Sequence, residues 1–166
     1  MNIINKTVYK NKWFEVINKH YLKEKKKYYT IKIPNSAVIL PVTKSKDFIL
    51  IKQYRESLDD YSLELPAGFV EDGETHFETA ERELLEETGY KSNKYTYLGI
   101  GRLMINRTNS IQHLYVAENT VKHTLPKDKT KILKLNQKEL FDLISNDKFV
   151  QLSGQGLILK YLIHNK

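Results

Sequence analysis

A chain of 166 residues that is 40% hydrophobic and 28% charged has the length and apolar content of one folded domain with a small appendage, and is too apolar to be disordered. The absence of cysteine excludes disulfides, thiolate zinc sites and cysteine nucleophiles, and fits a cytoplasmic setting. A net charge of +7 admits a nucleic-acid partner, but the lysines are scattered along the chain, which favours a solvated surface over a nucleic-acid face.

The opening segment, MNIINKTVYKNKWFEV, lacks the apolar core of a signal peptide, and no run of about eighteen apolar residues follows, so no membrane span is expected. Residues 6–34 contain two alternating, aromatic-rich stretches, Lys12–Tyr21 and Lys27–Ile33, separated by the charged Lys23–Lys27. They read as a β-hairpin with a solvated tip, and residues 1–34 are set apart as an N-terminal hairpin region. Ala37–Val42 and Asp47–Gln53 are apolar enough for strands of a buried sheet. Leu63–Leu65 is a short strand ended by Pro66 and Gly68. Residues 76–88 form a helix whose apolar face is Phe77, Ala80, Leu84 and Leu85, closed by Gly89. Strands follow at Tyr95–Met104, Ile111–Ala117 and Lys131–Leu135. Asn136 with Glu139 makes a capping box for a helix through Ile144, and Ser153 is the expected cap of a last helix, Gly154–His164. This order predicts an α/β fold with helices packed on a mixed sheet.

Charge is unevenly placed. Residues 71–87 hold eight of the 20 acidic residues against one arginine, a net −7 that leaves +14 on the rest of the chain. Such an island repels itself unless a cation neutralises it. Only four residues are arginine, and all lie between positions 55 and 107: Arg55, Arg82, Arg102 and Arg107. Arginine is the side chain suited to a bidentate grip on phosphate or carboxylate. Within the helix, Glu83, Glu86 and Glu87 stand at i, i+3 and i+4 and share a face. An oxygen-only donor set suits magnesium or manganese better than zinc. Arg82 can reach Glu86, or an acid in the preceding loop such as Glu74. Three acids alone equally fit a solvated helix face.

The spacing goes further. Gly68, five residues, Glu74, seven residues, Arg82-Glu83-Leu84, one residue, Glu86-Glu87, one residue, Gly89-Tyr90 resembles the Nudix box at every fixed position, with Tyr90 in place of a final aliphatic residue. The resemblance implies the Nudix α/β/α sandwich over residues 35–166 and a pyrophosphohydrolase that uses Mg2+, with Mn2+ able to substitute. It assigns metal binding to Glu83 and Glu87, with Glu86 ligating or supporting and the Ala67 carbonyl as a further ligand. Glu74 and Arg82 would orient the helix.

Two further stretches, Ile51-Lys-Gln-Tyr-Arg55 and Leu63-Glu-Leu-Pro-Ala-Gly68, resemble the ADP-ribose and nucleotide-sugar pyrophosphatase branch. That likeness implies a nucleoside diphosphate substrate joined to a second moiety and cleaved to two phosphate monoesters. It places Arg55 and Glu64 near the substrate and implies a homodimer that exchanges the N-terminal hairpin. An ion pair of Arg55 with Glu56 or Asp59 is the plain alternative. The chain departs from the branch in two places. Residues Met104–Ser110 lack the branch's proline, and no acid lies between Thr88 and Ala117, so a general base must come from the box, from Glu118 or later, or from bound water. That interval instead offers Arg102 and Arg107 as phosphate clamps, and His113, which reads as a packed histidine. The alternatives are a Nudix hydrolase of RNA 5′ ends or nucleoside triphosphates, and a non-catalytic nucleotide- or RNA-binding module.

Overall fold

Strand β4 (Ser36–Thr43) is buried along its whole length, as an apolar run in the middle of a sheet covered on both faces must be. Alternate side chains leave a strand on opposite faces, and here they feed two cores. Val38, Leu40 and Val42 join Leu114, Val116, Leu140, Phe149, Leu157 and Ile158; Ala37 and Ile39 join Ala80, Leu84, Tyr115 and Ala117. The computed structural model describes residues 3–127 and 130–165.

Around β4 the sheet is mixed. Strand β10 (Gln112–Lys122) pairs with it in parallel and β5 (Phe48–Arg55) pairs with it antiparallel. The short β6 (Asp60–Glu64) returns along β5, and β7 (Ala67–Phe69) lies antiparallel to the start of β4. Strands β8 (Tyr90–Lys91) and β9 (Lys94–Gly101) pair with β10, and β11 (Lys131–Leu135) pairs with β5. Helix α1 (His76–Glu83) supplies Ala80 to one core, while α2 (Gln137–Ser145) and α3 (Leu152–His164) supply Leu140, Leu157, Ile158 and Tyr161 to the other. The result is the expected α/β/α arrangement on a mixed sheet.

Local signals are met unevenly. Asn136 caps α2 in a full capping box with Glu139. Helix α1 has a capping box of its own, Thr75 with Glu78. Ser153 does not cap α3. The helix begins one residue before it, and Gln151 at the cap position makes no side-chain capping bond. Its Oε1 instead accepts the Leu65 N–H at 2.9 Å, so a long-range contact displaces the local cap.

The N-terminal stretches pair as a hairpin, β2 (Glu15–Tyr21) with β3 (Lys26–Lys32), and a further strand, β1 (Ile3–Lys10), makes a three-stranded antiparallel meander. It is tied to the main body at residues 106–108, where the Ile31 N–H donates to the Arg107 carbonyl at 2.7 Å and the Tyr28 hydroxyl donates to the Asn106 carbonyl. Strand β1 is exposed along its length. No helix among the described residues is long and apolar enough to cross a membrane.

Candidate functional site

The acidic segment is built around two locks. The first is the loop before α1. Arg82 donates from Nε to Glu74 Oε1 at 2.8 Å and from Nη2 to Glu74 Oε2 at 3.0 Å, with a further bond from Nη2 to the Phe69 carbonyl at 3.1 Å. The Thr79 hydroxyl adds a bond to Glu74 Oε2 at 2.7 Å. These bonds, Arg82's first among them, hold the Glu74 carboxyl down at about 2. In return Glu74 raises the Arg82 guanidinium above its ordinary value. Of the partners open to Arg82, Glu74 is the principal one, and Glu86 lies 3.6 Å away.

The second lock is at the other end of the helix. Past Glu83 the chain widens into a π-helical turn, Leu84–Thr88, closed by Gly89 in the left-handed conformation with φ of 72°. A side chain at Gly89 would also meet the Thr124 carbonyl, 2.2 Å from where a Cβ would stand. The wider turn changes how the three glutamates fan out. Glu87 points back to the sheet, accepting from Gln53 Nε2 at 3.0 Å and from the Ala67 N–H at 2.9 Å. Glu86 faces Lys127 Nζ at 2.8 Å. Glu83 is 9% exposed, pairs with Arg82 Nη1, and lies against Gly68 so closely that a Cβ there would sit 1.8 Å from Glu83 Oε1. Gly68 is therefore required by contact, since only a residue without a side chain lets the carboxylate touch β7.

Burial treats these acids unlike Glu74. It pushes the Glu87 carboxyl up to about 7, against the opposing Ala67 and Gln53 bonds and with help from the Glu83 charge. Burial also raises Glu83, whereas the Lys127 ammonium lowers Glu86. Two buried carboxylates that resist ionisation are stabilised as anions by a nearby cation. The donors are all oxygen, which fits a hard divalent ion. In the described arrangement each carboxylate is turned toward protein donors, and among the described residues no three acid or histidine side chains are gathered as a ready metal site. Holding an ion between them requires Glu83 or Glu86 to turn from its basic partner. For Ala67 the structure places the amide, rather than the carbonyl, on Glu87.

Beside these acids opens a cleft of about 410 Å³, walled by Ala67, Gly68, Phe69, Arg55, Glu64 and Gln112, among others. Arg55 and Glu64 are each other's partners, Nε to Oε1 at 2.7 Å and Nη2 to Oε2 at 2.5 Å. This bidentate pair replaces the surface ion pair with Glu56 or Asp59 as the plain reading of Arg55. Gln112 brings an Oε1 that is buried and has no hydrogen-bond partner among the described residues.

The other sequence candidates lie elsewhere. Arg102 donates to the Asn109 carbonyl at 2.6 Å on an exposed loop. Arg107 stacks over Tyr28 of the N-terminal meander, 4.8 Å from the ring centroid. Neither lines the cleft. Glu118 is bound to Lys94 and Lys46, six residues along β10 from Gln112 and so roughly 20 Å from the cleft at strand rise. It is too far to act as a base there, and the next acid, Asp128, lies outside the described residues. His113 is packed, its ring stacked on His76 at 3.9 Å and its Nδ1 3.1 Å from the Tyr97 hydroxyl. Gln53, Lys127 and Gln112 are site neighbours without a role in the sequence reading. Of these only Gln53 lies within a recognisable stretch, Ile51–Arg55, and Lys127 is brought in by a contact with Glu86, 41 residues distant.

With this geometry in view, residues 32–151 match the NUDIX domain family. An ADP-ribose pyrophosphatase of Bacillus subtilis is 38% identical over 88 residues, covering 53% of this chain and 48% of that protein. The methanol dehydrogenase activator of Bacillus methanolicus is 32% identical over 114 residues, 69% of this chain and 58% of that one. The matches thus span about half the length of these relatives. A crystal structure of an ADP compounds hydrolase superposes with a TM-score of 0.80 at 21% identity, covering 99% of this chain and 95% of that one, which is a likeness of fold.

Proposed function

The chain belongs to the Nudix family, and we propose that its cleft hydrolyses the pyrophosphate bond of a nucleoside diphosphate joined to a second moiety, of the ADP-ribose or nucleotide-sugar type, releasing two phosphate monoesters. The observation that carries this reading is the contact of Glu83 with Gly68. It sets the carboxylate at the end of α1 directly against the wall of a cleft that also holds the Arg55–Glu64 pair. The name of the Bacillus subtilis relative supports the substrate class.

In this reading Glu83 and Glu87, with Glu86, hold magnesium, for which manganese can substitute. Such an ion, when bound, neutralises pyrophosphate oxygens and makes water a better nucleophile. The protein's own part is positional. Gln53 and the Ala67 amide fix Glu87, and the Glu74–Arg82 lock fixes the loop against the helix. Arg55, kept in register by Glu64, offers remaining N–H donors to a phosphate or ribose in the cleft.

The assembly proposed is a homodimer. Ile4, Tyr9 and Tyr29, on one face of the N-terminal meander by register, are all exposed, at 50% or more. Three exposed large side chains on one face, interleaved with Lys6 and Lys27, are what a second copy would cover. Light scattering should show a dimer that Ile4→Lys/Tyr29→Lys converts to monomer, and a wild-type monomer would end this part of the reading.

The reaction is tested by a substrate panel with magnesium: ADP-ribose, nucleotide sugars, nucleoside triphosphates and RNA bearing 5′ phosphates. The expected result is AMP and ribose 5-phosphate from ADP-ribose, or the matching pair from a nucleotide sugar. Turnover confined to RNA ends or triphosphates would replace the substrate class, and no turnover at all would leave a binding module.

A further inference from the structure

The other face of the N-terminal meander, turned toward residues 105–109, encloses a second hollow of about 630 Å³. Strand period and register put Lys19 opposite Tyr28 and Lys32 on the same face. Residues 105–109 add Arg107, whose guanidinium covers the Tyr28 ring at 4.8 Å, while the Tyr28 hydroxyl is held by the Asn106 carbonyl. Three cations thus line one concavity, and no acidic side chain is among the described residues that line it. The nearest carboxylate on that face, Glu15, is 3.9 Å from Lys32 and taken up by Lys10 at 2.7 Å. Like charges gathered around a polar hollow repel one another unless an anion is between them. A guanidinium already stacked on an aromatic ring is preorganised to present its N–H fork to that anion.

The hollow adjoins the cleft. Ile33 forms part of both walls, and the segment that sends Leu103 into the cleft sends Arg107 into the hollow. We propose that this hollow is an anion subsite that takes the phosphate-bearing far end of an extended nucleotide, one that reaches out of the cleft past Ile33. The subsite accounts for an arginine placed away from the cleft. Its use in turnover rests on the proposed reaction; its capacity to hold an anion does not.

The test is calorimetric titration of inorganic tripolyphosphate into the full chain with EDTA present, so that no divalent ion contributes. Wild-type protein should bind. Lys19→Gln/Arg107→Gln should weaken binding at least about tenfold, the size expected for losing charge-assisted bonds. Arg107→Lys keeps the charge but loses the stacked fork and should weaken binding by roughly three- to fivefold, less than the double variant. Circular dichroism melts of each variant separate lost binding from lost folding, and the exposed single variant Lys32→Gln, expected to weaken binding about threefold, serves if the double variant melts early. Absence of binding by the wild type overturns the proposal. So does a loss caused by Arg55→Gln and not by Lys19→Gln/Arg107→Gln, which would put the anion in the cleft. A protein that hydrolyses neither ADP-ribose nor a nucleotide sugar yet binds tripolyphosphate in this pattern refutes the proposed reaction and keeps the subsite.

Discussion

The two ends of the acidic segment use the same side chain for opposite purposes. Glu74 is surrounded by donors and held at about 2. Glu87 is buried with two neutral donors and pushed up to about 7. Charge satisfied by an arginine fork makes a fastening, while charge buried short of compensation makes a site that gains from a cation. The lesson is that counting glutamates in a motif does not sort them; their partners do. Arg82 belongs with the fastening, and the Gly68 contact marks where the fastening ends and the site begins.

That division can be broken most severely at Glu87. Glu87→Gln is nearly isosteric and keeps one acceptor oxygen for the Ala67 N–H, while the Gln53 amide can turn its own oxygen to the new NH2 group, so the fold should survive, with kcat on ADP-ribose reduced by about a thousandfold or more. Steady-state kinetics with saturating magnesium, beside a melting curve, checks it. Near wild-type turnover would remove Glu87 from the site.

Gly68→Ala should come next. A methyl group 1.8 Å from Glu83 Oε1 must displace the carboxylate, lowering kcat about a hundredfold and stability by about 1–3 kcal/mol. Kinetics and urea unfolding read the two effects, and an unchanged kcat would show that Glu83 need not touch β7.

A smaller effect tests the fastening. The folded-state pKa of Glu74 is depressed, so its contribution to stability is present above its ordinary value of 4.5 and is lost as pH falls from there toward about 2. Arg82→Ala should cost about 1–3 kcal/mol at neutral pH, this being a partly exposed lock. The deficit should shrink across that acid window. A deficit independent of pH would mean that Arg82 stabilises by packing alone.

Much of this was legible beforehand for a definite reason. Burial on both faces made Ala37–Val42 read as a continuous apolar run, and Asn136 with Glu139 announced its capping box because both partners are local. The acidic face of α1 was legible because its residues are close in sequence. What escaped was non-local or weakly patterned. β1, exposed along its length, carries little hydrophobic alternation to read. The Ser153 cap yielded to a bond between Gln151 and Leu65, 86 residues apart. The π-helical turn follows from no single residue type. The arginines read as phosphate clamps, Arg102 and Arg107, were drawn to backbone and meander by contacts that spacing does not encode.

The most direct measurement is Mn2+ binding followed by electron paramagnetic resonance on the wild-type protein, Glu74→Gln and Glu87→Gln. The account predicts that Glu87→Gln weakens binding at least about tenfold, while Glu74→Gln stays within about threefold and instead melts earlier. Loss of Mn2+ by Glu74→Gln with binding retained in Glu87→Gln would contradict the account, because it would exchange the roles of fastening and site.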